Sequence, residues 1–99
     1  MTREEIMRDL KDIRYYHSRE RIMRDAEEKF GSNALTEKEK RYGAVIRMAP
    51  IRIYDVYIGM YILNNTQESL SEKWGCSVET IKRYNKKLYI YLEENSDLL

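Results

Sequence analysis

Residues 65–92 read NTQESLSEKWGCSVETIKRYNKKLYIYL, and this stretch has the pattern of two helices joined by a short turn. The first helix is predicted over 67–74, because Asn65 or Thr66 before it can accept a hydrogen bond from a free amide of the first turn. Gly75 follows, and glycine adopts the left-handed backbone conformation that ends many helices more readily than other residues do. We therefore expect a short helix that stops at Gly75.

The second helix is predicted to begin at Val78, with Ser77 as its N-cap. Two helices joined by a turn of three or four residues that contains glycine form a helix-turn-helix. An apolar interior must hold the two helices at a fixed angle. Six residues have the spacing to supply it: Leu70, Trp74, Cys76, Val78, Ile81 and Tyr84. Ser71 is small at the position where the helices approach most closely.

The remaining side chains of the second helix, over 78–92, indicate binding to double-stranded DNA. Polar residues share one side of this helix, and within 80–92 four residues are basic and none is acidic. In a helix-turn-helix protein this recognition helix enters the major groove, where its N-terminal side chains contact base edges. Arg83 has the geometry to pair with O6 and N7 of guanine, and Glu79 can accept from N4 of cytosine.

Phosphate contacts complete the predicted DNA-binding set. Lys86 and Lys87 suit phosphates, which position a protein on the duplex without reading its sequence. Ser77 and Thr80 can donate to a phosphate at the helix N-terminus. The candidate DNA-binding residues are thus Ser77, Glu79, Thr80, Lys82, Arg83, Lys86 and Lys87.

Residues 51–92 resemble the region-four domain of sigma factors and the related phage-encoded transcriptional regulators of the late-gene and autolysin-regulator type. The matching residues are Ser71, Trp74-Gly75-Cys76-Ser77 and Thr80-Ile81-Lys82-Arg83, after an apolar, tyrosine-containing helix over 51–63. Ser71 stands where the family usually has alanine, and Trp74 where it usually has leucine. The resemblance implies a transcription regulator of a bacterium, a phage or a mobile element.

Two other functions fit the same motif. Sigma-like helix-turn-helix folds can contact RNA polymerase or another regulator instead of DNA, and a net charge of only +1 keeps this interaction-module hypothesis open. The small subunit of a phage terminase also recognises DNA with such a motif, but it assembles into rings. The oligomeric state in solution separates the terminase hypothesis from that of a regulator.

The rest of the chain predicts further helices, so that the fold class is all-α with four to five helices. Glycine (4) and proline (1) are scarce, while 42% of the residues are hydrophobic and 35% are charged, as amphipathic helices require. Residues 3–30 form one long N-terminal helix, or two joined near His17-Ser18, with Thr2 and Glu5 as a capping box. Gly31 supplies the C-terminal stop.

The middle of the chain supplies two more helices. Residues 31–33 are a predicted connector, and Thr36, followed three residues later by a glutamate, is a second possible capping box. That helix ends at Ala49, because the residue before a proline is steered away from the helical conformation. Pro50 then suits the first turn of a helix over 51–63, whose polar residues recur at helical spacing although its Ile, Val and Tyr content also suits a strand.

The 99 residues are predicted to form a single domain with three parts: an N-terminal amphipathic helix or helix pair (1–30), linking and core helices (36–64) and the helix-turn-helix (65–94). Residues 1–30 carry eight acids and eight bases, so this segment is neutral. Its amphipathic surface is the expected contact of a homodimer, because one recognition helix alone reads few base pairs.

The sequence indicates no enzyme, cofactor or metal site. Carboxylates lie in faces of alternating charge, and phosphate loops, nucleophile elbows and metal-ligand spacings are lacking. One histidine and one cysteine, His17 and Cys76, are too few for a zinc site. The single thiol and a start, MTREEIMRDL, without an apolar leader predict a cytoplasmic protein, and no apolar run is long enough to cross a membrane. Trp74 and the tyrosines at helical spacing are expected in the core.

Overall fold

The fold is built from helices across residues 1–31 and 34–99, which are the residues that a computed structural model describes. In chain order the α-helices are α1 (Arg3–Ser18), α2 (Glu20–Phe30), α3 (Ala34–Ile46), α4 (Ile51–Tyr57), α5 (Gln67–Trp74) and α6 (Val78–Glu94). A π-helical segment, Ile58–Ile62, continues α4, and a 3-10 turn, Ser96–Leu98, follows α6. The all-α prediction is confirmed, but the described residues form six α-helices where the sequence predicts four to five.

The predicted N-terminal helix is two helices, because the helical conformation is interrupted at Arg19. Both hydrogen bonds of the capping box are present, from Glu5 N to Thr2 Oγ1 and from Thr2 N to Glu5 Oε1, each 3.2 Å long. Arg19 has φ −118° and ψ 27°, outside the helical region, and separates α1 from α2. This interruption comes directly after His17-Ser18. Of the two predicted alternatives, the pair of helices is therefore the one observed.

Helix α3 begins earlier than the sequence predicts. It starts at Ala34, whereas the capping box would make Thr36 the N-cap. Thr36 lies inside the first turn with 1% of its surface exposed, so this capping prediction is wrong. Within the predicted connector, Ser32 and Asn33 lie outside the described residues, and Gly31, with φ 79°, ends α2 as expected.

The same helix also ends earlier, at Ile46 instead of Ala49. The amides of Met48 and Ala49 donate to the carbonyls three residues back, at Val45 and Ile46. The last residues before Pro50 thus belong to a tighter turn. Pro50 is the N-cap of α4, whereas the sequence predicts it inside the first turn of that helix.

The predicted helix over 51–63 is confirmed nearly to its end, with a widened last turn. α4 runs into the π-helical segment, which places Gly59 against Leu70 of α5. The Gly59 carbonyl accepts two hydrogen bonds from Asn65, one from its backbone amide (3.0 Å) and one from its side chain (2.9 Å). Asn65 thus ties the end of this helix to the start of α5, and the N-cap of α5 is Thr66.

Helix α6 lies at the centre of the core. Its apolar face packs against α1, α4 and α5, and Ile81, Leu88 and Leu92 are fully buried there. The other elements add further buried side chains: Ile6, Leu10 and Ile13 of α1, Tyr42, Val45 and Ile46 of α3, Val56 and Tyr57 of α4, and Met60 and Tyr61 of the π-helical segment. The two sequence-distant ends of the chain, α1 and α6, therefore share one core.

A polar cluster fastens α3 to α1. The Tyr42 hydroxyl donates to Asp9 Oδ2 (2.6 Å), and Lys38 Nζ lies 2.9 Å from Asp9 Oδ1 and 2.7 Å from Asp12 Oδ2. Burial, and then the neighbouring Asp9 carboxylate, raise the pKa of Tyr42, so this hydroxyl keeps its proton and remains the donor. Two acids of α1 thus share one base of α3.

Two glycines in helical segments should respond differently to alanine. A methyl group on Gly43 meets nothing within 4 Å, so Gly43→Ala should stabilise the protein by about 1 kcal/mol, because alanine favours a helix. A methyl group on Gly59 would lie 2.8 Å from Cδ1 of the buried Leu70. Gly59→Ala should therefore be less stable than Gly43→Ala by about 1–3 kcal/mol, the usual range for overpacking.

Urea unfolding followed by far-UV circular dichroism measures the stability of both variants. Equal stabilisation by the two substitutions would contradict the close packing of α5 against the π-helical segment at Gly59.

Candidate nucleic-acid interface

The two helices that flank Gly75 have the boundaries that the sequence predicts. Thr66 Oγ1 accepts from Ser69 N (3.0 Å) at the start of α5, and Ser77 Oγ accepts from Thr80 N (3.2 Å) at the start of α6. Gly75 has φ 65° and ψ 38°, a left-handed conformation in which a side chain would be strained. Two N-caps and one glycine thus define where α5 begins and ends and where α6 begins.

Part of the predicted apolar interior is buried and part lies at its edge. Leu70 and Ile81 are buried, and Ser71 is buried with them. The Cys76 amide donates to the Ser71 carbonyl (3.0 Å), so this small residue lies where the turn closes on α5. The other four predicted interior residues are only half-buried: Trp74, Cys76, Val78 and Tyr84. Trp74 is thus at the edge of the core and not inside it.

The predicted DNA-binding residues lie together on α6 and its N-cap, Ser77. At 3.6 residues per turn, the charged residues between 79 and 87 fall on the side opposite to the buried residues of this helix. Six of the seven are exposed, and Thr80, at the margin, is half-buried. This surface, which we name the α6 face, consists of Ser77, Glu79, Thr80, Lys82, Arg83, Lys86 and Lys87.

The basic side chains at the centre of the α6 face have no acidic partner. Lys82, Arg83 and Lys86 form no ion pair with any described residue. Lys38 of α3, by contrast, is held between two aspartates. Unpaired charges on one helix face add to a local positive potential, which attracts anions.

The two hydroxyl groups at the start of the α6 face are bonded to each other. Ser77 Oγ and Thr80 Oγ1 are 2.9 Å apart, and Ser77 Oγ also accepts from the Thr80 amide. The bond between the hydroxyls uses one of their two hydrogens. The other hydrogen remains free to donate to an acceptor outside the protein.

A stack of cations and aromatic rings extends the α6 face towards α4. The Arg52 guanidinium lies 5.3 Å from the centre of the Trp74 ring, which meets the Tyr84 ring edge-on at 6.3 Å. Lys87 Nζ lies 5.3 Å from the centre of the Tyr84 ring. A groove of about 150 Å³ opens beside this stack, with Thr80 in its wall.

Arg52 is the residue of this surface that sequence reasoning misses. It belongs to α4, and neither spacing nor composition relates that segment to α6. The sequence predicts Trp74 in the core, because tryptophan at helical spacing is usually buried. The Arg52 guanidinium instead lies over one face of the Trp74 ring. This arrangement follows only from the packing of α4 against α6.

A buried polar cluster fixes the rotation of α6 about its axis. The Tyr61 hydroxyl donates to Asn85 Oδ1 (2.8 Å), and Asn85 Nδ2 donates to Tyr89 Oη (3.3 Å). On the α3 side, Tyr91 Oη donates to the Val45 carbonyl (2.8 Å). Burial raises the pKa of Tyr61, so its hydroxyl stays protonated and can hold Asn85. Specific bonds as well as apolar packing therefore decide which residues α6 presents to solvent.

The described residues contain no helix with the length and the apolar character needed to span a membrane. They also contain no group of three or more His, Cys, Asp or Glu side chains placed to hold a metal ion.

Comparison of the chain with protein-family models, curated protein sequences and solved structures finds no significant match. The α6 face and its surroundings are therefore the basis for assigning a function.

Removal of the Ser77 hydroxyl should weaken the start of α6. Ser77→Ala leaves the Thr80 amide without its acceptor, and loss of an N-cap costs about 1 kcal/mol of folding free energy. Ser77→Asn keeps an acceptor and should stay close to the wild-type stability. Thermal unfolding by circular dichroism compares the three proteins, and equal destabilisation by both substitutions would argue against the capping role.

Proposed function

We propose that this protein is a transcription regulator that binds double-stranded DNA, with α5 and α6 acting as a helix-turn-helix. One observation carries the proposal: the α6 face presents Lys82, Arg83 and Lys86 to solvent, opposite to the buried side of the helix and without ion pairs to any described residue. An α-helix fits the major groove, and unpaired cations match the phosphates along its edges. The resemblance of residues 51–92 to region four of sigma factors supports the same function.

The residues of the α6 face divide into base contacts and phosphate contacts. Arg83 pairs with O6 and N7 of guanine, and Glu79, one turn earlier on the same side, accepts from N4 of cytosine. Lys82 and Lys86, one turn apart on the same edge of the α6 face, neutralise phosphates along one side of the groove. The free hydroxyl hydrogen of the Ser77–Thr80 pair donates to a phosphate at the helix N-terminus.

Arg52 and Lys87 extend the phosphate contacts towards α4. Each cation lies over an aromatic ring, Arg52 over Trp74 and Lys87 over Tyr84. A ring in this position restricts the motion of the cation but leaves its positive charge in place. Both side chains are therefore held in position for a DNA backbone that passes beside α6.

We further propose that α2 pairs with the α2 of a second copy of the chain. The apolar stripe of α1 is buried in the core, so this stripe is not available to a partner. In α2, by contrast, none of residues 20–29 is buried, and Ile22 is 60% exposed. Ala26 lies one turn further on the same side, so α2 presents an apolar stripe to solvent. A dimer of this kind would read two half-sites.

A second candidate function is a protein-contact module that binds RNA polymerase or another regulator. The observation that favours it is the exposure of three large apolar side chains near the two ends of the α4 segment. Met48, Ile51 and Leu63 are each more than half exposed there, at 73%, 76% and 66%. These side chains lie outside the α6 face, so DNA titrations separate the two candidates.

Fluorescence anisotropy with a random-sequence duplex at two salt concentrations tests the DNA-binding proposal. The wild type should bind at low salt and weaken steeply as the salt concentration rises, because cations that neutralise phosphates release counterions. Lys82→Ala/Arg83→Ala/Lys86→Ala should bind more weakly. The slope of log affinity against log salt should also shrink by about 2 in this variant, since two of the three contacts are with phosphates.

The matched control is Arg8→Ala/Lys11→Ala/Arg21→Ala. It removes the same charge from three exposed cations of α1 and α2 and should bind like the wild type. Equal losses in both triple variants would show that binding is not localised to the α6 face. Absence of wild-type binding at low salt would overturn the proposal in favour of the protein-contact module.

Sedimentation equilibrium at micromolar concentration tests the α2 dimer. The wild type should sediment as a dimer and Ile22→Glu as a monomer, because a carboxylate in the apolar stripe would have to be desolvated on pairing. Ile51→Glu, which changes a still more exposed isoleucine on α4, is the control and should remain dimeric. A monomeric wild type contradicts the dimer, and a ring-sized oligomer favours the terminase hypothesis.

A further inference from the structure

A cleft opens where α1, the π-helical segment, α5 and α6 meet. Its volume is about 320 Å³, at the lower end of the range of about 300–1,000 Å³ that is usual for small-molecule sites. Met7, Lys11 and Arg14 of α1 and Asn85 and Tyr89 of α6 form two of its walls. None of the seven residues of the α6 face lines it, so a ligand here does not depend on the DNA-binding proposal.

The lining of this cleft contains two cations and no acid. Lys11 is exposed and Arg14 is half-buried, and neither forms an ion pair with a described residue. Two unpaired cations on one concave surface attract an anion. A phosphate monoester carries a charge of about −1.5 to −2 at neutral pH, which matches two cations better than the single charge of a carboxylate does.

Arg14 is held in a fixed position by Asn64. Its Nε donates to Asn64 Oδ1 (3.1 Å), and one of its Nη atoms donates to the Asn64 carbonyl (3.5 Å). These bonds use two of the five N–H groups of the guanidinium, and the other three remain for a ligand. Asn64 has φ 59° and is the one described residue other than glycine with a positive φ. Residues in such sparsely populated conformations cluster at ligand sites.

The charge of Arg14 also acts on Tyr61, a tyrosine in the lining of the cleft. Burial and the hydrogen bond with Tyr89 raise the pKa of Tyr61, whereas the positive charge of Arg14 acts to lower it. The guanidinium therefore lies close enough to the cleft for its field to be effective there.

The remaining surface of the cleft is mostly apolar and aromatic. Met60 and Tyr61 form its buried part, while Met7, which is 39% exposed, and the half-buried Tyr89 are accessible from solvent. Tyr89 Oη accepts from Asn85 Nδ2 (3.3 Å) and lies 3.3 Å from Tyr61 Oη, so its ring is held in place without a ligand. Aromatic rings and methionine sulfur both pack favourably against a flat aromatic group.

Two polar side chains at the start of α5 complete the cleft. The amide of the half-buried Gln67 forms no hydrogen bond with a described residue. Thr66 Oγ1 accepts from Ser69 N, which leaves the hydrogen of the Thr66 hydroxyl free. A free amide and a free hydroxyl can donate to and accept from the hydroxyl groups of a sugar.

We infer that this cleft binds a small phosphate ester with an aromatic body, of the kind represented by a nucleoside monophosphate. Lys11 and Arg14 bind the phosphate, Arg14 through a pair of its free N–H groups. The aromatic base packs against the accessible side chains of Met7 and Tyr89. Phosphate, sugar and base then each contact a part of the cleft with matching chemistry.

Isothermal titration calorimetry of the full chain with adenosine monophosphate, adenosine and inorganic phosphate tests the assignment. Adenosine lacks the phosphate, and inorganic phosphate lacks the aromatic body. Each should therefore bind at least about tenfold more weakly than adenosine monophosphate, the effect of losing charged hydrogen bonds or buried apolar contacts. Absence of binding of adenosine monophosphate at millimolar concentration, or equal binding of adenosine, would overturn the assignment.

Lys11→Ala locates the phosphate in the cleft. This substitution removes an exposed side chain without ion pairs to described residues, so the variant should melt like the wild type but bind adenosine monophosphate about tenfold more weakly. Lys40→Ala, which changes an exposed lysine of α3 outside the cleft, is the matched control and should bind like the wild type. Equal affinities of the two variants would contradict the role of Lys11.

Asn64→Gly tests whether Asn64 positions Arg14. Glycine adopts the positive φ of this residue readily, so the backbone can keep its course while Arg14 loses its side-chain acceptor. Binding should weaken, and adding Arg14→Ala to Asn64→Gly should give no larger loss than Arg14→Ala alone, because Asn64 acts through Arg14. Fully additive losses would rule out this positioning role.

The cleft and the α6 face can be tested separately. Lys82→Ala/Arg83→Ala/Lys86→Ala should bind adenosine monophosphate like the wild type, and Lys11→Ala should bind duplex DNA like the wild type. Loss of nucleotide binding in the triple variant would place the nucleotide on the α6 face and overturn the assignment. Loss of duplex binding by Lys11→Ala would likewise overturn it, because the cleft would then hold a phosphate of the DNA backbone.

Discussion

Ile81, Leu88 and Leu92 line the side of α6 that faces α1, α4 and α5, and all three are fully buried. Burial of each such side chain contributes about 1.5–3 kcal/mol, so this helix cannot turn about its axis without a large loss of stability. The hydrogen bonds of the Tyr61 hydroxyl to Asn85 and Tyr89 of α6 oppose the same rotation. The residues that α6 shows to solvent, and with them the proposed contacts to DNA, depend on this packing.

The distribution of charge follows from the same arrangement. Between α1 and α3, Lys38 forms ion pairs with Asp9 and Asp12. On the exposed side of α6, by contrast, Lys82, Arg83 and Lys86 form no ion pair with a residue that the structure describes. A net charge of +1 for the whole chain therefore coexists with a strongly basic surface on one helix.

Features set by local interactions could be predicted from the sequence, and features set by packing could not. Gly75 and Ser77 act on their immediate neighbours, and the structure has both the turn and the cap where the sequence predicts them. Thr36 has the spacing of a cap, but burial of its side chain decides its position. The widened turn at Gly59 depends on the contact of Gly59 with Leu70 of α5. No local sequence pattern predicts this contact between two helices.

The same division applies to the candidate nucleic-acid interface. Six of the seven predicted residues of the α6 face lie on α6 and the seventh, Ser77, is its N-cap, so spacing alone brings them together. Arg52 joins them only because α4 packs beside α6.

The central position of α6 also has a consequence for biosynthesis. α1 leaves the ribosome long before α6 does, yet the two helices pack together in one core. Until α6 has emerged, Ile6, Leu10 and Ile13 lack part of their cover, and the nascent chain exposes apolar surface of the kind that chaperones bind. The domain thus completes its fold late and as a unit, and a ribosome that stalls before α6 leaves a product without a closed core.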